Sequence, residues 1–191
     1  MLDPADGAEL ARLAVAAVAA RLAGGAAPDD PPPRPPLCEP GASFVTLEVR
    51  GRLRGCVGSL DAARPLWRDA VRNALRAMRD PRLPAVTGVD WPDLDVKVSV
   101  LTAPEPLPVA DAPALVAALR PGVDGLLIID GTRRATFLPG VWHKLPEPDR
   151  FLAALLAKGG WPAGYWSSTL RVRRYTTSEF RDPAPRPPLP A

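Results

Sequence analysis

The 191-residue sequence predicts an α+β fold, two-lobed, with mostly antiparallel sheets and helices packed on them. Two observations lead there. Strand-like segments come in hairpins interrupted by single helices, with no regular β-α-β alternation and no repeat period. Hydrophobic residues make up 47% of the chain, enough for a proper core without a disulfide framework. The length suits one domain with two lobes or two small domains. The expected organisation is an N-terminal helix over residues 1–26 that belongs to the fold, a proline-rich connector over 27–42, an α+β domain over 43–180, and a disordered tail over 181–191.

Asp3-Pro4 followed by Leu10, Leu13, Ala14, Ala17, Val18 and Leu22 reads as an amphipathic helix with start signals, stopped by Gly24-Gly25. The prolines of residues 27–37 make a stiff, extended connector that cannot join a sheet interior. In Ser43 to Arg50, the residues Val45, Leu47 and Val49 alternate with more polar neighbours, the pattern of a strand with one buried face. Gly51-Arg52 can turn the chain, and Leu53 to Leu60 returns as its hairpin partner. Pro65 opens a helix with Leu66, Ala70, Val71, Ala74, Leu75 and Met78 on one stripe, opposite Arg68, Arg72, Arg76 and Arg79. A loop with Pro84, Gly88 and Pro92 leads to the alternating strand Asp95 to Leu101. Asp111 to Leu119 is a short helix. Leu126 to Ile129 and Ala135 to Leu138 are strands about the turn Asp130-Gly131-Thr132-Arg133. Pro148 to Lys158 is a helix burying Phe151, Leu152, Leu155 and Leu156, and Leu170 to Tyr175 is a last strand. Residues 181–191 are proline-rich, the composition of a disordered segment.

Composition narrows the function. The net charge of +3 keeps nucleic acid in view. Yet the arginines are interleaved with acids, and neither Arg133-Arg134 nor the Arg171, Arg173, Arg174 group comes with aromatics that could stack on bases. A nucleic-acid partner is therefore not expected. The acidic start Met1-Leu2-Asp3 lacks the basic region of a secretory signal, and Arg12 and Arg21 break the apolar run Leu10 to Leu22. No membrane partner and a cytoplasmic location are the expectation. Cys38 and Cys56 are the only cysteines, too few for a disulfide scaffold, and no bridge between them is expected. One histidine and two distant cysteines cannot supply a zinc set, and nucleotide-binding glycine loops are absent, so no metal and no cofactor are expected.

The most informative stretch is Leu53-Arg54-Gly55-Cys56-Val57-Gly58. Two glycines around a cysteine weaken a strand, which suggests a bulge or a close approach by a ligand or another backbone. The nearby guanidinium groups of Arg52 and Arg54 would favour a thiolate, the nucleophilic form. Free N–H groups beside the glycines could hold an anion. The plain alternative is a buried structural cysteine whose glycines relieve packing. Asp80-Pro81-Arg82 offers an acid–base group or an ion pair, against the plain reading of a helix stop. His143, the only histidine, invites pairing with Cys56, although a histidine beside Lys144 in a loop is more often simply exposed.

Leu53-Arg54-Gly55-Cys56-Val57-Gly58 closely resembles the Leu-Arg-Gly-Cys-Ile-Gly signature of the AMMECR1 domain family, with Val57 in place of isoleucine. Further segments are similar to family motifs in the same order. They are Phe44-Val45-Thr46-Leu47, Asp80-Pro81-Arg82-Leu83-Pro84, Val98-Ser99-Val100-Leu101, Gly125-Leu126, and Thr136-Phe137-Leu138-Pro139 with Val141-Trp142. Phe151-Leu152, Lys158-Gly159-Gly160 and Tyr165-Trp166 continue the register, although Gly159 stands where alanine is more usual. The resemblance covers roughly residues 44–180, with the N-terminal helix matched less specifically.

The resemblance implies a two-lobed α+β fold. It implies partners as well: bacterial members are often encoded with a Memo-like protein and a radical-SAM protein, in the AmmeMemoRadiSam system. It raises Arg54, Gly55, Cys56, Gly58, Asp80 and Arg82 as lining of one cleft, and does not raise His143. The family has no established activity. Two readings stay open. In one, Cys56 and Asp80 are catalytic, the first as nucleophile or redox thiol and the second as acid–base or orienting group, while Arg54, Gly55, Gly58 and Arg82 bind an unknown small molecule. In the other, the same cleft belongs to a non-catalytic binding or assembly module for the Memo-like and radical-SAM proteins.

Overall fold

The computed structural model describes residues 2–189. In chain order its first half comprises α1 (Pro4–Leu22), α2 (Pro35–Cys38), β1 (Pro40–Gly41), β2 (Ser43–Val49), β3 (Arg52–Gly58), β4 (Arg64–Pro65), α3 (Leu66–Ala77) and β5 (Leu94–Leu101). It continues with β6 (Glu105–Pro106), α4 (Ala112–Ala118), β7 (Gly125–Asp130), β8 (Arg133–Phe137), α5 (Pro148–Lys158), β9 (Arg171–Tyr175) and β10 (Thr177–Asp182). Two compact units result. The first holds residues 1–101 and 178–191, the second residues 102–177. No helix among the described residues is long and apolar enough to cross a membrane.

The first unit is a four-stranded sheet in the order β10-β5-β2-β3, with β2 antiparallel to both its neighbours. Val45 and Leu47 of β2 and Leu94, Val96 and Val98 of β5 point one way along the two-residue period. They pack into one core with Leu10, Ala14 and Val18 of α1 and Ala70 and Ala74 of α3. Asp3 caps α1 by accepting from the Asp6 N–H at 2.9 Å. Gly7 lets Phe180 of β10 sit against the helix, since a Cβ there would lie 1.9 Å from the ring.

The hairpin turn falls one residue before the expected Gly51-Arg52. Arg50 and Gly51 both have positive φ, 50° and 72°, which is the two-residue geometry that matches strand twist. The connector does more than span. It folds into α2, whose Leu37 is fully buried, and Pro40-Gly41 pairs with β4 in a separate two-stranded sheet. Strand β10 had no alternating apolar pattern to announce it. Residues of the tail, expected from composition to be disordered, carry specific contacts to the first unit. Arg186 donates to the Leu94 carbonyl at 2.7 Å and pairs with Asp182, and the Trp91 indole donates to the Pro187 carbonyl at 2.7 Å. A buried arginine with those partners outweighs the solvation that proline-rich composition favours. Residues 190 and 191 lie outside the described residues.

The second unit has a sheet in the order β6-β9-β7-β8, antiparallel throughout, with α5 against β8. Phe151 of α5 stacks on Trp142 with ring centroids 3.8 Å apart, and the Trp142 indole donates to the Asp124 carbonyl at 2.7 Å. Opposite Tyr175 on β7 stands Gly125, where a Cβ would meet the Tyr175 ring at 2.4 Å, so only glycine admits the aromatic. The Tyr175 hydroxyl donates to the Phe137 carbonyl at 3.0 Å and lies 2.6 Å from the Thr136 hydroxyl.

Burial pushes the Tyr175 phenol up to about 12, with the Thr136 hydroxyl pulling weakly the other way. A phenol raised in the folded state contributes stability fully present below its unfolded pKa of about 10 and lost as pH climbs through the folded value. Denaturant midpoints should therefore hold to about pH 10 and fall between about pH 10 and 12, by about 2–3 kcal/mol. Tyr175→Phe should lose that fall. The chain has only Tyr165 and Tyr175, so phenolate absorbance reads the titration directly, and a Tyr175 signal at the ordinary value would refute the assignment.

Candidate functional site

Strand β3 is an edge strand, hydrogen-bonded on one side only, to β2. An uncovered edge exposes a row of N–H and C=O groups. At Cys56 the free edge is covered by side chains from the loop that follows α3. The Cys56 N–H donates to Asp80 Oδ2 at 3.1 Å, and Arg82 Nη2 donates to the Cys56 carbonyl at 3.0 Å. The carboxylate and guanidinium together give the strand one acceptor and one donor, as a neighbouring strand would.

The two clamping side chains also hold each other. Arg82 donates from Nε to Asp80 Oδ1 at 2.8 Å and from Nη2 to Oδ2 at 2.6 Å, while its backbone N–H donates to Oδ1 at 3.1 Å. That last contact bends Asp80-Pro81-Arg82 into an Asx turn. The Asp80 side chain is 1% exposed and the Arg82 side chain 66% exposed, so the guanidinium lies over the carboxylate on its solvent side. The hydrogen bond from Arg82 is the main reason the Asp80 carboxyl sits well below the usual carboxylate range. Burial opposes it, and the Cys56 and Arg82 backbone N–H groups add to the fall.

The glycines of the motif have separate causes. A Cβ at Gly55 would come 1.9 Å from the Ala77 carbonyl oxygen, so the strand meets the end of α3 backbone to backbone. That approach brings Asp80, three residues beyond Ala77, within reach of Cys56. Gly58 faces the other way, where a Cβ would meet the Phe44 ring at 2.1 Å. Cys56 shares that second face and pairs across the hairpin with Thr46, whose hydroxyl donates to its sulfur at 3.5 Å. Cys56 as a residue is half-buried, and both cysteines are free. On the neighbouring strand the same face carries Lys97 and Ser99, each within 3.4 Å of Glu179 on β10.

Arg54 goes elsewhere. The register steps from the pair Leu47/Gly55 to Glu48/Leu53, leaving Arg54 as the extra residue of a bulge. Its guanidinium pairs with Asp90 at 2.8 Å, and Asp90 in turn accepts from the Thr87 N–H at 2.9 Å. Arg54 lines a groove of about 540 Å³ with Val49, Arg50, Arg52, Val89, Asp90 and Asp93. Cys56, Asp80 and Arg82 do not line it. The structure thus gathers Gly55, Cys56, Asp80 and Arg82, and directs Arg54 into a separate recess. His143 belongs to the second unit and is exposed.

Sequence reading missed a buried polar cluster at the other end of α3. Asp69 accepts from the Ser43 N–H at 2.9 Å, the Ser43 hydroxyl at 2.8 Å, the Ser59 hydroxyl at 2.6 Å and Arg64 at 2.6 Å. Asn73, one turn on, donates to the Ser43 carbonyl at 3.0 Å and to Asp69 at 2.9 Å. Both residues are fully buried. The available signal was an Asp and an Asn four residues apart among the alanines of the apolar stripe. Thr46 and Asp90 were missed too, having no motif of their own.

A two-unit α+β chain with a side-chain clamp on a glycine-flanked edge strand is the class of protein so defined. The AMMECR1 family model matches residues 11–180, and the chain belongs to that family. A relative from Methanothermobacter thermautotrophicus is 39% identical over 145 residues, covering 73% of this chain and 74% of that protein. One from Thermofilum pendens is 32% identical and covers 97% of this chain and 93% of its own length. The crystal structure of uncharacterized protein PH0010 from Pyrococcus horikoshii superposes with a TM-score of 0.90 at 30% identity, over 98% of this chain and 96% of that one.

Asp80→Asn keeps one acceptor oxygen but loses the charge that holds Arg82. It should cost about 1–3 kcal/mol in denaturant unfolding at pH 7. Because the folded carboxyl titrates low, this contribution is present above the unfolded value of about 3.9 and is lost as pH falls below it. The wild-type advantage over Asp80→Asn should therefore shrink through acid, and a difference constant down to pH 2 would contradict the clamp.

Gly55→Ala and Gly58→Ala make a second comparison. Alanine at position 55 meets backbone that cannot swing aside, so the loss should reach or exceed the roughly 1–3 kcal/mol of ordinary overpacking. At position 58 it meets a phenyl ring that can rotate, and the loss should be smaller. Equal melting shifts would count against the backbone contact.

Proposed function

We propose that this chain is a non-catalytic binding and assembly module whose β3 segment, Arg54 to Gly58, is held rigid for recognition. The supporting observation is the full commitment of Asp80. It accepts four hydrogen bonds, from Cys56 and from three groups of Arg82, and its low pKa keeps it charged at neutral pH. A carboxylate so engaged is a poor proton donor or base. Arg54 is likewise occupied, by Asp90. In this reading the partners are a Memo-like protein and a radical-SAM protein, the companions that AMMECR1-family resemblance implies, and the chain orders them without turning over a substrate.

One observation favours the thiol-centred alternative. Cys56 is a half-buried residue, and its sulfur accepts a hydrogen bond from the Thr46 hydroxyl. A small molecule held at that thiol, with Arg82 at its side, would make Cys56 a nucleophile or redox group.

Cys56→Ser and Cys56→Ala separate the two. For a binding module both variants fold, co-purify with the Memo-like and radical-SAM proteins, and retain graded activity of the three-protein system in cells. Mild thiol labelling of the wild type at neutral pH should then run no faster than for a free thiol of pKa about 8.5. Folded variants that are wholly inactive, combined with labelling well above that rate, would establish the thiol reading and remove this one.

A further inference from the structure

Helix α3 carries a row of arginines that the site on β3 does not use. Arg64, just before the helix, is followed at four-residue steps by Arg68, Arg72 and Arg76. Within the helix, residues one turn apart stand about 6 Å from each other along one flank. The four arginines rim a groove of about 720 Å³. Two of them have carboxylate partners. Arg64 is bound to buried Asp69 at 2.6 Å, and Arg68 reaches Asp29 on the opposite wall at 3.3 Å. Arg72 and Arg76 are exposed and have no carboxylate partner among the described residues. Like charges one turn apart destabilise a helix, and an anionic partner relieves that repulsion.

The floor tells which anion fits. Half-buried Leu75 stands beside the arginines and half-buried Pro28 lines the groove from the connector, while Val71, one turn back, is 7% exposed and closes the floor. A polyphosphate or nucleic-acid backbone gains nothing from an apolar strip. The one aromatic there, Trp67, is 2% exposed, with the Arg68 guanidinium 5.0 Å from its ring centroid, so it offers no platform for a base. A helix with carboxylates one turn apart and an apolar stripe beside them satisfies both flanks. Asp29 shows the chemistry already, since it places a carboxylate from the far wall on one rung of the ladder.

We propose that this groove docks an acidic amphipathic helix of a partner protein, with its carboxylates on Arg72 and Arg76 and its apolar stripe on Leu75 and Pro28. None of these residues lies in the Arg54 to Gly58 segment or the Asp80 to Arg82 loop, so the proposal is tested apart from the role of Cys56.

The test is fluorescence anisotropy with the full chain and a labelled synthetic helix of about four turns, bearing Glu at every fourth position and Leu on the adjoining stripe. A scrambled peptide of equal composition and a labelled single-stranded oligothymidylate are run beside it. Binding of the amphipathic helix over both competitors is expected. Arg72→Glu with Arg76→Glu should weaken it by about tenfold or more. The charge-matched control, Arg150→Glu with Arg171→Glu on the second unit, should leave it unchanged. Asp29→Asn, which frees a rung, should strengthen it severalfold. Circular dichroism melts confirm that the exposed variants fold. Equal binding of the scrambled peptide, tighter binding of the oligothymidylate, no binding at all, or indifference to Arg72→Glu with Arg76→Glu would each overturn the proposal.

Discussion

The first unit is organised around the carboxylate of Asp80. It is buried and charged, an arrangement tolerable only because every oxygen contact is supplied from close by. One of the four hydrogen bonds comes from the backbone of Cys56 and three from Arg82, so the charge cannot leave without freeing the edge of β3. This explains the combination of glycine, cysteine and Asp-Pro-Arg better than any one of them alone. Gly55 brings the helix end close, the proline turns the chain, and the arginine covers the carboxylate while completing the strand's hydrogen bonds. An edge strand closed in this way is also protected against pairing with another chain.

The same helix is fastened at its other end. Asp69 and Asn73, in the first two turns of α3, hold Ser43 at the start of β2 and Ser59 just past the end of β3. Asp80, beyond the last turn, holds the middle of β3. Apolar contacts of Ala70 and Ala74 fill the space between. Those two alanines supply little directional preference of their own. Two buried carboxylates, one near each end, fix its register, which is the specificity that buried polar groups can provide where packing is smooth.

Much of this was legible in the residues, and the failures are informative. The alternation of Val45, Leu47 and Val49 located β2, and the four-residue spacing of Ala70 and Ala74 located α3, because period follows directly from which face is buried. The Gly-Cys-x-Gly pattern pointed to close backbone approach, and Ala77 and Phe44 turn out to be the neighbours. Residue type marks Cys56 and Asp80 as chemistry-bearing. Their contacts span 24 positions in sequence, a pairing that local pattern cannot reveal. Strand β10 and the contacts of Arg186 leave no mark in the pattern for a related reason. Arg186 is buried only because Leu94, Asp182 and Trp91 happen to surround it, and composition carries no record of that.

A motif strong enough to identify a family need not be strong evidence for catalysis. Of the motif residues, Gly55, Gly58, Asp80 and Arg82 each have a contact that packing or strand closure accounts for, and Arg54 is held by its ion pair to Asp90. The Cys56 side chain is the exception. Its backbone is what the clamp holds, and any residue but proline could provide that N–H and C=O. The thiol itself points to the face opposite α3, beside Thr46 and near the Lys97, Ser99 and Glu179 group. A small hydrophobe would fit strand geometry there equally well, so strand closure gives no reason for sulfur. The Asp80–Arg82 pair, on the edge, holds the backbone of position 56 in place, and the side chain stands on that polar face of the sheet.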